Sequence, residues 1–110
     1  RQAARRRSSF TTMASLQVLL WTATSAEYSA RGIRVNAVAP GGIETPGLKL
    51  YFDRFPEFAE KTVAQHAMGR VGQPREVAEA VIWLASERSS FVTGSTLTCD
   101  GGISVNSHML

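Results

Sequence analysis

Ile33-Arg34-Val35-Asn36-Ala37-Val38-Ala39-Pro40-Gly41-Gly42-Ile43-Glu44-Thr45-Pro46-Gly47 joins an apolar strand to a loop broken by prolines and glycines. Val35, Ala37, Val38 and Ala39 are apolar on both sides of the strand alternation, the pattern of a parallel strand whose two faces are covered by helices. Pro40 has no N–H and stops the ladder. Gly41 and Gly42 let a ligand approach the main chain without meeting a Cβ. In open α/β sheets ligands sit beyond the carboxyl ends of the strands, so a ligand is expected at this loop.

Upstream, Met13, Leu16, Leu19, Leu20, Ala23 and Ala26 recur at three- and four-residue intervals, which predicts an amphipathic helix over residues 13–30, closed by Gly32 as a left-handed cap. Downstream, residues 46–58 hold Leu48, Leu50, Tyr51, Phe52, Phe55 and Phe58. A short helix is expected over 57–68, then a loop. Pro74 suits a first helical position, Glu76 and Glu79 favour the positive end of the dipole, and Val77, Ala78, Val81, Ile82 and Ala85 form one apolar face. Trp83 points elsewhere on that wheel, as an anchor against a neighbour or an unfilled contact. Ser95 to Cys99 has the β-branched content of a strand, ended by the turn chemistry of Asp100-Gly101-Gly102.

The chain has 110 residues, 44% hydrophobic and 19% charged, which suits a globular unit. Its net charge is +3, but Arg1, Arg5, Arg6 and Arg7 supply four of the twelve basic residues. Without them eight positive charges face nine negative, so nothing steers the remainder toward nucleic acid. Residues 1–12 read as a disordered or non-native tail, Arg- and Ser-rich like a transit segment, and the Arg start suggests a fragment. Cys99 is the only cysteine, which excludes an internal disulfide and permits the expected cytoplasmic location; it reads as a small buried hydrophobe. His66 and His108 have no metal-ligand spacing, so no metal site is expected and both read as solvated or helix-surface residues. No apolar run approaches the roughly 18 residues of a membrane span.

Three motifs together resemble the short-chain dehydrogenase/reductases, Rossmann-fold enzymes that move a hydride between a nicotinamide cofactor and an alcohol or carbonyl. They are Arg31-Gly32-Ile33-Arg34-Val35-Asn36-Ala37-Val38-Ala39-Pro40-Gly41, continuing as Pro-Gly-x-x-x-Thr to Thr45; Gly69-Arg70-Val71-Gly72-Gln73-Pro74-Arg75-Glu76-Val77-Ala78; and Phe91-Val92-Thr93-Gly94-Ser95-Thr96-Leu97-Thr98-Cys99-Asp100-Gly101-Gly102. The likeness covers roughly residues 26–103. It implies α/β architecture: the C-terminal portion of a Rossmann-like, doubly wound parallel sheet, incomplete because only two convincing strands are present. It implies NAD or NADP as cofactor, with Pro40, Gly41, Gly42, Ile43 and Thr45 on the nicotinamide side. It implies a small-molecule substrate for the parent enzyme, and a homo-oligomer or pairing with a full-length subunit, since the first helix and last strand lie at subunit interfaces in the family. That second role, a non-catalytic association module, is the alternative function.

The same likeness implies a Tyr-x-x-x-Lys at the start of the first helix. Ungapped spacing puts it at Phe10 and Ala14, which have neither the hydroxyl nor the ammonium for proton transfer. Tyr28 and Tyr51 have Gly32 and Phe55 four residues on, and Tyr28 is expected to pack on its helix. No glycine-rich phosphate loop occurs, so no catalytic residue is assigned and this chain alone is expected to be inactive. Residues 46–58 correspond to the family's mobile substrate lid, or they form a plain helical hairpin over the sheet edge. Thr45 either reaches a carboxamide or caps the next helix before Pro46. Asp100 reads as a turn residue bonding its own backbone.

Overall fold

The computed structural model describes residues 8–10 and 18–106. In chain order these are β1 (Ser8–Phe10), α1 (Val18–Tyr28), β2 (Arg34–Pro40), α2 (Pro46–Arg54), α3 (Pro56–Gln65), α4 (Pro74–Ala85), β3 (Thr96–Cys99) and α5 (Ile103–Asn106), with short 3-10 turns at Ser29–Arg31 and Glu87–Ser89. They fall into two compact units, residues 1–39 with 79–97 and residues 40–78 with 98–110.

The strand order is β1-β2-β3. β1 pairs in parallel with β2, Ser8 opposite Arg34 and Phe10 opposite Asn36. The expectation of two strands is therefore corrected to three. Ser8–Phe10 lies inside the stretch read as a tail, and three residues, two of them serine, are too few to show an alternation. Residues 1–7, 11–17 and 107–110 lie outside the described residues, and with them Ala14, the start of the expected first helix, and His108. On the other side of β2, Gly94 N–H donates to Val35 O at 2.8 Å and Ala37 N–H to Ser95 O at 2.9 Å. The bonds climb both chains together, as in a parallel ladder.

In the first unit Arg34 through Val38 are all buried, the burial on both faces that the apolar run predicts. Val35 and Ala37, with Ile33 against them, form its small apolar core. Two buried polar residues in the strand are fully employed. Asn36 donates from Nδ2 to Val92 O at 3.0 Å and accepts from Ser95 N–H at 3.1 Å. Arg34 donates to Leu84 O at 2.8 Å, Ser86 O and Val92 O at 3.0 Å, and Ser89 Oγ at 3.1 Å. Its planar guanidinium collects carbonyls at the end of α4, where helical C=O groups lack partners and a cation is favoured. Thr93 Oγ1 accepts from Val35 N–H at 3.2 Å and hydrogen-bonds Ser25 at 2.8 Å, tying α1 to the turn before β3. Past α1, Gly32 adopts φ 79° and caps Ser29–Arg31, as its position predicts. Tyr28 stays on the helix surface with the Arg31 guanidinium 5.3 Å from its ring centroid.

α4 begins at Pro74, and Glu76 reaches back to accept from Gln73 N–H at 2.8 Å, half of a capping box. Its inward face differs from the expected one. Leu84 is buried and Val77, Ala80 and Val81 are half-buried, whereas Ala78 and Ala85 are exposed and Ile82 is 61% exposed. Burial follows the spacing 77, 80, 81, 84, a stripe rotated from the one drawn through Ile82. No helix among the described residues is long and apolar enough to cross a membrane.

Candidate functional site

β2 delivers the chain into the loop 40–45, which lies wholly in the second unit. Gly41 N–H donates to Cys99 O at 3.1 Å, and Gly42 N–H to His66 Nε2 at 3.0 Å. Gly72 N–H donates to Gly42 O and Glu44 N–H to Gly72 O, both at 2.8 Å, around a parallel bridge between Ile43 and Gly72. Thr45 N–H turns back to Ile43 O at 2.9 Å, and the Gln73 side-chain amide holds the Glu44 carboxylate. Among the described residues, the Ile43 N–H is the loop amide left without a partner. The loop is thus fixed nearly atom by atom, with one donor left over.

The two glycines are small for a different reason than the sequence suggests. A Cβ on Gly41 would stand 2.8 Å from the Asp100 Cα and carbonyl oxygen, and one on Gly42 would stand 2.9 Å from His66 Cε1. The space beside them is filled by the chain, which needs close backbone approach at both positions. Pro40 is exposed at the strand exit. Thr45 Oγ1 accepts from Leu48 N–H at 3.1 Å and caps α2 ahead of Pro46. A hydroxyl that accepts one bond keeps its proton to donate, so the cap leaves Thr45 a second use.

His66 corrects the expectation of a solvated histidine: it is 2% exposed. Besides accepting from Gly42, its ring meets Thr62 O through Nδ1 at 2.7 Å. Sequence reasoning missed it because a lone histidine without metal spacing carries no local mark, and its partner is 24 residues away. Gly42 and Ile43 border a cavity of about 350 Å³, shared with Arg70, Cys99, Asp100 and Gly101. Cys99 is half-buried there instead of buried. Asp100 is a turn residue as expected, accepting from Gly102 N–H at 2.9 Å and Ser104 N–H at 3.0 Å. The Ser104 side chain, then these amides, hold its carboxyl below the usual aspartate range against a smaller opposing desolvation from burial. Across the loop, the Arg70 guanidinium grips Glu76 at 2.7 Å. Arg70 and then the Gln73 N–H hold the Glu76 carboxyl down to about 2, and Glu76 raises the Arg70 guanidinium in return. Among the described residues no three His, Cys, Asp or Glu side chains gather where a metal could be held.

α2 and α3 pack together as a helical hairpin. Tyr51 lies 4.8 Å from Phe55 and 4.9 Å from Phe58, ring centre to ring centre, the latter edge to face. All three rings are 45% exposed, so this aromatic stripe is a surface cluster and not core.

The family model described as enoyl-(acyl carrier protein) reductase matches residues 9–104. A gamma-butyrolactone 1'-reductase of the A-factor type from Streptomyces virginiae is 47% identical over 81 residues, covering 74% of this chain and 32% of the relative. A 3-oxoacyl-(acyl-carrier-protein) reductase from Thermotoga maritima is 47% identical over 78 residues, 70% of this chain and 30% of the relative. Among solved structures, ElxO with NADP bound matches with a TM-score of 0.73 and 33% identity, over 80% of this chain and 36% of that one. The chain spans about a third of the length of the curated relatives it matches.

Proposed function

Because the chain belongs to the short-chain dehydrogenase/reductase family, we propose that it forms the nicotinamide side of an NAD- or NADP-dependent oxidoreductase acting on an alcohol or carbonyl group. The observation that carries this reading is the single uncommitted amide of Ile43, one residue after a clamped glycine and two before the Thr45 hydroxyl. An amide donor and a hydroxyl so close in sequence suit a carboxamide, which offers a carbonyl oxygen and an NH2 group. Ile43 and Thr45 would hold the ring, while Pro40, Gly41 and Gly42 shape the main chain that presents it. The nicotinamide, when bound, supplies C4 as the hydride donor or acceptor. Ring-bearing or apolar small molecules are the substrates that the half-exposed Tyr51, Phe55 and Phe58 would favour.

Proton transfer is not assigned to any residue here: in this reading the chain binds and orients, and has no turnover on its own. Equilibrium titration with reduced nicotinamide mononucleotide, followed by quenching of tryptophan fluorescence, tests the binding. Saturable quenching supports the reading, and none at millimolar nucleotide defeats it.

A second reading, an association module that pairs with another subunit, is favoured by β3. This strand ends the order β1-β2-β3, and Thr96 and Thr98 on it are exposed. An edge strand is a template for pairing, and sedimentation would show whether the chain self-associates.

A further inference from the structure

We propose that Gly72 is the positioning residue that aims the Ile43 N–H, which gives the loop between α3 and α4 a part in nicotinamide binding; this rests on the reading of the 40–45 loop given above. In a trans peptide the C=O and the N–H point in opposite directions. The Ile43 N–H is therefore aimed by whatever holds the Gly42 C=O of the same peptide. That group is the Gly72 N–H, which donates to Gly42 O at 2.8 Å. The other bond of the parallel bridge, Glu44 N–H to Gly72 O at 2.8 Å, leaves from the same edge of the chain. Ile43 thus turns its own N–H and C=O to the opposite edge. There the C=O is taken by Thr45 N–H at 2.9 Å, and the N–H stays open among the described residues.

Gly42 has no Cβ to resist rotation of this peptide, so its plane is fixed from outside. The His66 bond acts one peptide earlier, on Gly42 N–H. Gly72 can lie close because it too lacks a Cβ, which would stand 2.9 Å from Ile43 Cδ1 and 3.6 Å from Glu76 Oε2. It is also braced on both sides from α4. The Glu76 carboxylate accepts from Arg70 at 2.7 and 2.9 Å and from Gln73 N–H at 2.8 Å. The residues of the second sequence motif, Gly69 onward, thereby act on the first: the Glu76 brace sets Gly72, and Gly72 sets the Ile43 amide.

Backbone esters separate the two bonds of the bridge. Gly72→glycolic acid, introduced by semisynthesis, deletes the Gly72 N–H and keeps every side chain and the Gly72 C=O. Glu44→2-hydroxyglutaric acid deletes the other bond and leaves the Gly42 C=O held. The full chain, wild type and both esters, is titrated with reduced nicotinamide mononucleotide, and the Ile43 amide NMR signal is followed without nucleotide. The ester at Gly72 should weaken binding about fivefold, the order of one neutral hydrogen bond, and shift or broaden the Ile43 amide. The ester at Glu44 costs the bridge the same kind of bond, yet it should bind within about twofold of wild type with the Ile43 amide in place. Equal losses in the two esters would make Gly72 a structural contact and overturn the positioning role, as would wild-type affinity in the ester at Gly72. If the wild type itself binds no nucleotide, the nicotinamide reading has failed and the positioning role falls with it; binding by the wild type that the ester at Gly72 leaves unchanged strikes the positioning role alone.

Discussion

Thr45→Val removes one oxygen that the account uses twice. In α2 the loss breaks the cap bond from Leu48 N–H at 3.1 Å, worth about 1 kcal/mol and, for a domain of this size, a fall of roughly 4–8 °C in Tm. At the ligand it removes a hydroxyl donor to the carboxamide, again about 1 kcal/mol, or about fivefold in affinity. Thr45→Asp separates the two effects. A carboxylate still accepts from Leu48 N–H and is favoured at a helix N-terminus, but it cannot donate. Thr45→Ser keeps both functions and serves as the control. Thermal melts and titration with reduced nicotinamide mononucleotide are run on all three. Val should lose stability and affinity together, Asp should hold its Tm and lose affinity, and Ser should match wild type. Undiminished affinity in Thr45→Asp, with the loss of Tm confined to Val, would make Thr45 a helix cap and nothing more.

Arg34→Met removes a buried fork that serves Leu84 O, Ser86 O, Val92 O and Ser89 Oγ, and urea denaturation should show a loss of about 3–5 kcal/mol, with Arg34→Lys recovering little because an ammonium cannot span the set; a loss under about 1 kcal/mol would contradict the structural role. Glu76 is depressed from 4.5 to about 2 in the folded chain, so its contribution is complete above the unfolded value and is lost as pH falls from there toward about 2. Wild type should therefore lose Tm over that acid range more steeply than Glu76→Gln, and the gap should shrink in high salt because the pair is exposed. Parallel acid profiles would show that the ion pair adds nothing. Assayed with simple secondary alcohols and ketones, the chain should give no steady nicotinamide absorbance change above a heat-treated control, and a steady change would place acid/base residues where the account has none.

What the sequence made legible was local. The continuous burial of Arg34 through Val38, the Gly32 cap, the Pro74 start of α4 and the Asp100 turn each depend on residues within a few positions of one another. The hidden features depend on distant partners. His66 is defined by Gly42, and Arg34 by the end of α4 and the turns after it. Gly41 is small because of the Asp100 backbone, which no periodicity reports. β1 is too short to alternate, and the α4 stripe was drawn one position off because Ile82 and Leu84 are equally apolar in sequence. At the loop, the five expected residues could be named from a motif, but which amide is free could be read only from where the others are spent.

That free amide is the most direct point of attack. In amide NMR spectra of the isotope-labelled chain titrated with reduced nicotinamide mononucleotide, the Ile43 amide proton should move downfield and further than any other, with Thr45 following and Gly42, already bonded to His66, moving little. A titration in which Ile43 stays still while the signals of Tyr51, Phe55 and Phe58 respond would put the nucleotide on the α2–α3 hairpin and contradict the account.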